Sequence, residues 1–359
     1  MSQSPLLQPD FWGAYGNRDI NFTKLSHVII YQGKNLGDVL LSTPVVESVR
    51  SVSECRITVI TSVEARILVE EPCRRIFWHE RKRGLLAVVK SALEFKKHNV
   101  DLFIDLHGSF DASVFNTTLN ANVSIKMAGC RRRVTDSYSI TMPSTAIRKR
   151  HRVEQHLDVL RRLGLSSQQL KRTLSTRALD STLGESDQRK VDQKIPASPF
   201  IIVHPCSRWL FKTTYPDFWV DVIERFTSAG SQVVLTGVSN GLEGQYLDYI
   251  ARKAVVTNLV GKLTLAELSY VMSLGSAYLG VDTVTSHLAS AHDKPGVVLF
   301  GPSDEYSWGP LSKNLSPVSS TEFACRPCNL DGCGGGKRSD CLNALDPQLI
   351  AARVLQKLT

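Results

Sequence analysis

Short apolar runs alternate with amphipathic segments along almost the whole chain, in two blocks separated by a stretch with neither pattern. This alternation constrains the fold more than any other feature, because buried strands joined through helices pair in parallel by right-handed crossovers. In the first block HVIIY (27–31) reads as a strand, GKNLGD as a glycine-bearing turn and DVLLSTPVVESVRSV as one helix. Strands are expected at 56–62, 75–78 and 101–108, with helices from about Val63 and at 85–98 and 111–121. The second block has strands at 200–205 and 231–237, helices at 217–228, 242–253 and 264–275, and a last helix at 347–358. Between the blocks lie a basic segment from Arg131 to Arg150, an amphipathic helix HRVEQHLDVLRRLGL, and polar residues 166–198.

The expected fold class is therefore α/β, with two Rossmann-like doubly wound domains facing a cleft. Residues 1–25 form an N-terminal extension, 26–170 the first domain, 171–198 a linker, 199–345 the second domain and 346–359 a C-terminal helix. No apolar run approaches the roughly 18 residues of a membrane span, and the start of the chain lacks a basic and then apolar leader. A cytoplasmic protein is expected.

Charge is distributed unevenly. Residues 1–195 hold 30 Lys and Arg against 20 Asp and Glu, and residues 196–359 hold 13 against 14. The basic surplus belongs to the first half, which points to an anionic partner: nucleic acid, a membrane surface, or a phosphorylated or carboxylated substrate. No basic motif interleaved with aromatic residues supports nucleic acid.

Four cysteines, Cys55, Cys73, Cys130 and Cys206, are scattered as reduced core thiols are. Cys325, Cys328, Cys333 and Cys341 cluster in CRPCNLDGCGGGKRSDC. That loop reads either as a structural zinc site of four thiolates or as a loop of reduced thiols, with an iron–sulfur cluster a third reading. His79, His98, His107, His151, His156 and His292 carry no spacing that suggests a metal.

Three segments carry candidate chemistry. Gly37-Asp38 lies between the first strand and the first helix, where a carboxylate serves either as a helix cap or, facing a cleft, as a general base. HPCSRWLFK (204–212) follows the first strand of the second block, and Ser207, Arg208 and Lys212 can surround a diphosphate. The alternative is a solvent-exposed loop with Trp209 and Phe211 packed inward. AYLGVDTVTSHLASAH (277–292) reads as a buried strand running into a helix start, with Asp282, Thr283, Val284 and His287 about one turn. A helix N-terminus at the carboxyl end of a strand is a phosphate site, though Thr283 could equally be a plain cap. There is no GxGxxG, GxxxxGK[ST] or GxSxG, so a dinucleotide-dependent dehydrogenase, a P-loop ATPase and an α/β-hydrolase are not supported.

VIIYQGKNLGDVLLSTPVVESV, DLFIDLHG, IIVHPCSRWLFK, NLVGKLTLAELSYVM, YLGVDTVTSHLASAHDKPGVVLFGPSDEYSWGP and the CRPC loop together resemble glycosyltransferase family 9, the lipopolysaccharide heptosyltransferases, most of all its heptosyltransferase III-like branch. The resemblance runs from about residue 26 to 358. It implies a GT-B fold and inverting transfer of heptose from ADP-L-glycero-D-manno-heptose to the inner core of lipopolysaccharide. It also implies Asp38 as base, Lys212 and Ser207 on the donor phosphates, and Asp282, Thr283 and His287 about the donor. The family's acidic ribose contact falls near Glu243. Where the family often has Gly or Pro, this chain has Val284 and Thr285. Arg81, Lys82, Arg83, Arg131, Arg132 and Arg133 are then expected to bind the lipid A–inner core acceptor, with peripheral contact to the anionic inner membrane. No metal is expected at the chemical step. The alternatives are a related transferase using another nucleotide sugar and a non-catalytic nucleotide-sugar binding protein.

Overall fold

Residues 19–71, 75–127, 138–140, 142 and 150–358 are described by the structure, a computed structural model. It divides into two units, Met1–Ala178 and Leu179–Thr359.

In the first unit, β1 (His27–Tyr31), β2 (Arg56–Thr61), β3 (Ile76–Glu80), β4 (Leu102–Asp105) and β5 (Val123–Lys126) form one parallel sheet in the order β3-β2-β1-β4-β5. All five residues of β1 are buried, as a strand covered by helices on both faces requires. The helices of this unit are α1 (Leu36–Leu40), α2 (Thr43–Val52), α3 (Leu85–Lys96), α4 (Phe110–Leu119) and α5 (Arg152–Arg162). On one face, Val88, Ala92 and Phe95 of α3 and Phe115 of α4 close over Ile29, Tyr31 and Phe103. Phe103 and Phe115 stack with ring centroids 5.7 Å apart.

The second unit has a six-stranded parallel sheet in the order β11-β10-β9-β6-β7-β8. Its strands are β6 (Phe200–His204), β7 (Gln232–Leu235), β8 (Thr257–Asn258), β9 (Ala277–Val281), β10 (Gly296–Leu299) and β11 (Leu315–Val318). Two helices, α6 (Arg177–Thr182) and α7 (Glu185–Asp192), precede it; α8 (Pro216–Ser228), α9 (Gly241–Lys253), α10 (Leu265–Leu274) and α11 (Val284–Ala291) follow within it. Both sheets reverse their strand order at one place, between β1 and β4 and between β6 and β9. Successive connections leave in opposite directions there, opening a crevice at the carboxyl ends of the strands where ligands bind in folds of this kind.

Several expectations are corrected. The single helix expected from Asp38 is two, because Pro44 has no N–H to give and its ring excludes a continuous turn. The Leu40 carbonyl this leaves over accepts from Thr43 Oγ1 at 2.7 Å, and Ser42 Oγ donates to Val39 O, also at 2.7 Å. From Val63 onward there is only a short 3-10 turn, Arg66–Leu68, since Val63 faces solvent and the inward residues Ala65 and Leu68 make too narrow an apolar stripe. Strands β5, β8 and β11 were not anticipated; they are short sheet-edge or near-edge elements, and β11 contains Pro317 at an edge where a missing donor is tolerated. The division between the units falls within residues 171–198, the expected linker, which also hold α6 and α7; Val191 of α7 is fully buried against Phe200, Ile202 and Met272. Of the N-terminal extension, Asp19–Leu25 falls within the described residues: Ile20 N donates to Leu163 O at 3.1 Å and Phe22 is buried. Residues 1–18, Cys73, Cys130 and Arg131–Arg133 lie outside the described residues.

Helix α5 carries a buried charge network that fixes it in the first unit. Arg161 pairs with Glu154 and, at 2.5 Å, with Asp158; Arg172 reaches Glu154 at 3.1 Å and Arg150 reaches Asp158 at 3.0 Å. Removing one member leaves the others charged and desolvated. Glu154→Ala is expected to destabilise the protein by roughly 3–5 kcal/mol in urea unfolding; a midpoint equal to that of the parent would show the network to be energetically neutral.

Candidate functional site

In the second unit the site is built at the reversal between β6 and β9. The two strands lie in register with His204 opposite Gly280. A Cβ on Gly280 would come within 2.2 Å of Tyr278 Oη and 2.8 Å of His204 O, so only glycine allows this approach. After β6 the chain turns through Pro205, Cys206 and Ser207, and Ser207 Oγ accepts from Trp209 N at 3.2 Å. The following 3-10 turn, Leu210–Lys212, brings Lys212 back over the end of β9, where Lys212 Nζ donates to Asp282 Oδ2 at 2.6 Å. Asp282 is buried and Lys212 partly exposed, with side-chain exposures of 7% and 23%. The pair therefore holds the ammonium in one place while leaving a face of it to solvent.

Directly after Asp282, Thr283 caps α11: its Oγ1 accepts from Thr285 N at 3.1 Å. Thr285 joins Thr283 and Tyr278 through hydroxyl contacts of 2.9 Å each, so this residue ties the helix start to β9. Burial pushes the Tyr278 phenol well above its ordinary range, which keeps it a hydroxyl in that chain. His287 is buried on the inner side of α11 and Val284 is half-buried at its first turn. Arg208 is exposed, its guanidinium carbon 5.1 Å from the centre of the Trp209 ring. The structure thus brings Lys212, Asp282 and Thr283 together on two adjacent strand ends, with Ser207 buried in the same turn. Helix N–H groups with a partial positive charge and a lysine form a cradle for a phosphate.

Beside it, Cys206 Sγ donates to Glu243 Oε1 at 3.0 Å, and His204 Nδ1 lies 2.9 Å from Thr236 Oγ1. Among the described residues, His204, Cys206 and Glu243 are the one group of three potential metal ligands whose donor atoms converge within 4.8 Å. Burial and the Glu243 charge push the Cys206 thiol well above its ordinary range. The thiol is therefore a proton donor to Glu243 in this arrangement, which fixes the first turn of α9.

In the first unit the corresponding reversal lies between β1 and β4. Asp38 is half-buried in the first turn of α1. The loop before it is held by Arg81, which donates from Nη1 to Gly33 O; a Cβ on Gly33 would meet Arg81 Cδ at 2.1 Å. Arg83 is exposed, and Lys82 pairs with Glu80. At the end of β4, Asp105 is fully buried. Its Oδ1 accepts from His107 N and Gly108 N at 2.8 Å each, and its Oδ2 from Tyr138 Oη at 2.7 Å. Burial raises the Asp105 carboxyl above its usual range despite those donors. His107 stacks on Tyr31 at 6.1 Å, and burial with the charges of Arg81, Lys34 and Arg83 lowers its pKa to about 4. Asp105 and His107 were not singled out in the sequence; the available signal was a carboxylate closing an otherwise apolar strand, DLFIDLHG, at the strand next to the Gly37-Asp38 turn.

In the cysteine loop, Cys325 and Cys333 are exposed, Cys328 is half-buried and Cys341 buried. The other three thiols act electrostatically on Cys341, whose own thiol is pushed up by burial first of all. No three of these sulfurs lie within 4.8 Å of one another, so the loop as placed is not a closed tetrahedral set.

Two doubly wound units, each with one reversal of strand order, are the layout of the GT-B architecture. A model of glycosyltransferase family 9 (heptosyltransferase) matches residues 88–337, and the chain belongs to that family. The chain is 27% identical over 291 residues to the lipopolysaccharide heptosyltransferase 3 of Escherichia coli (strain K12), covering 78% of this chain and 83% of that one. Among solved structures, a family 9 glycosyltransferase from Veillonella parvula superposes with a TM-score of 0.77 at 16% identity, covering 95% of this chain and 99% of that one. The E. coli ADP-heptose lipopolysaccharide heptosyltransferase II superposes with a TM-score of 0.71 at 16% identity, covering 93% and 98%. These likenesses carry the fold.

Two buried histidines contribute to the acid sensitivity of this scaffold. Burial lowers the pKa of His204 to about 4 and that of His156, whose Nδ1 lies 3.0 Å from Leu41 O, to about 3. Both are neutral in the folded chain, whereas the unfolded chain takes up protons near pH 6.5. Their stabilisation is complete above that value and is lost as pH falls from about 6.5 toward 4, by on the order of a few kcal/mol each. The urea midpoint is expected to be lower at pH 5 than at pH 7.5; an equal or higher midpoint at pH 5 would contradict the assignment.

Proposed function

We propose that the protein is an inverting heptosyltransferase of the heptosyltransferase III type, moving heptose from an ADP-activated donor to the inner core of lipopolysaccharide. The observation that carries this reading is the Lys212–Asp282 pair at the β6–β9 reversal, beside the N-terminus of α11. The names of the relatives support the sugar and the acceptor.

In this reading the second unit holds the donor diphosphate. Lys212, Ser207, Arg208 and the N–H groups at Thr283 and Val284 take the charge that grows on the leaving ADP, so the reading invokes no metal at the chemical step. Asp282 orients Lys212, and Glu243, held by Cys206, is assigned to the ribose hydroxyls. His287 supports the α11 turn from within. Asp38 of the first unit takes the proton of the attacking acceptor hydroxyl, and Arg81, Lys82 and Arg83, with Arg131–Arg133, meet the phosphates and carboxylates of the acceptor. The basic surplus of residues 1–195 also favours peripheral docking of a cytoplasmic enzyme to an anionic membrane; no described helix is long and apolar enough to cross one.

Calorimetric titration should give binding with ADP and much weaker heats with UDP and GDP. Equal affinity for all three would assign another donor. Asp38→Asn is expected to lower transfer by roughly 10²–10⁴-fold with ADP affinity close to that of the parent, and Lys212→Ala to weaken ADP binding roughly tenfold to hundredfold. Surviving transfer in Asp38→Asn would remove Asp38 as the base, and unchanged ADP binding in both variants without any transfer in the parent would leave a nucleotide-sugar binding protein.

For the loop of Cys325, Cys328, Cys333 and Cys341 two readings stand side by side, a structural zinc and reduced thiols; metal analysis of protein purified without chelator separates them, about one zinc per chain for the first and none for the second.

A further inference from the structure

Helix α3 buries one face and leaves the other uncovered. Val88, Ala92 and Phe95 pack into the core of the first unit. On the outer face Leu86 is 86% exposed, Leu85 58% and Leu93 47%. Leu86, Lys90, Leu93 and Lys97 are spaced by four, three and four residues, so leucine and lysine alternate down a single helical stripe about 16 Å long. Lys90 and Lys97 are exposed, and Glu94 is the one acidic residue of the helix.

One further exposed apolar residue lies at the same sheet edge as the start of this stripe. Helix α4 packs beside α3 and begins with Phe110, which is 64% exposed. Both helices start within a few residues of a strand end, Glu80 of β3 and Asp105 of β4, so Leu85, Leu86 and Phe110 lie at the carboxyl edge of the sheet. That edge also carries the Gly33–Asp38 loop and exposed Arg83.

The composition of the stripe selects its occupant. Lysine is depleted from the centre of protein–protein interfaces, where its ammonium would have to be desolvated. At a bilayer the same side chain lies with its stem along apolar surface and its ammonium among headgroup phosphates. We propose that the outer stripe of α3, together with Phe110, docks on an anionic lipid bilayer, with Leu85, Leu86 and Leu93 at the headgroup boundary and Lys90 and Lys97 on lipid phosphates. This deepens the proposed function, because a lipid-linked acceptor lies at such a surface. It also turns the basic edge of the first unit toward the membrane.

The test is flotation of the full-length protein with vesicles of phosphatidylcholine alone or of phosphatidylcholine with phosphatidylglycerol. The protein is expected to float with the phosphatidylglycerol vesicles, more weakly as salt is raised, and to stay behind with phosphatidylcholine alone. The combined change Leu85→Ser and Leu86→Ser is expected to weaken vesicle binding roughly tenfold or more. Lys90→Gln with Lys97→Gln is expected to do the same and to remove most of the salt dependence. All four positions are exposed, so far-UV circular dichroism and ADP affinity should match the parent. The proposal is overturned if the parent ignores phosphatidylglycerol, if either pair of changes leaves binding intact, or if the leucine changes instead abolish self-association without lipid, which would make a second copy the occupant. Vesicle binding without transfer to a soluble acceptor would sink the proposed reaction and leave the surface standing; transfer without vesicle binding would do the reverse.

Discussion

The close approach of β6 and β9 governs the second unit. These two strands mark the place where the sheet reverses its order, and Gly280 makes their contact by presenting no side chain to His204 O and Tyr278 Oη. From that contact the rest of the site follows. Asp282 emerges two residues later beside the loop from β6, close enough for Lys212 to reach it. The helix start at Thr283 is then fixed by hydroxyls that trace back to Tyr278 on the same strand. Capping hydroxyls thus fix the start of α11, and one ion pair holds the Lys212 ammonium in place beside it.

The first unit uses the same topology for different chemistry. Among the described residues its reversal, between β1 and β4, gathers Asp38 on a short helix, a buried Asp105 that organises the β4 turn, and His107, whose imidazole is kept neutral by burial first and by nearby cations second.

Much of this was legible in the chain. The two blocks of alternating pattern led to two parallel sheets, since fully buried strands such as HVIIY and FIIVH leave little else for their neighbours to be. The segments HPCSRWLFK and AYLGVDTVTSH stood out because each sets polar and charged residues at the carboxyl end of a buried strand, where ligands bind in open α/β sheets. What failed to show was weak in its own sequence. The two-residue β8 has no period to detect, Pro317 hides β11, and α7 reads as polar because Val191 is its one buried residue.

The sequence by itself determined the fold class, the placement of the basic surplus in one half, and the family, because hydrophobic period, composition and motif order are properties of a linear string. Only the tertiary structure decided which side chains meet. Lys212 and Asp282 are 70 residues apart, and Cys206 and Glu243 are 37 apart. The reach of Arg81 to Gly33 spans 48 residues, and nothing in either local pattern marks one as the other's partner. Those contacts come from parallel pairing, which places strands distant in the chain side by side, and from the order reversal, which leaves their ends open to one another.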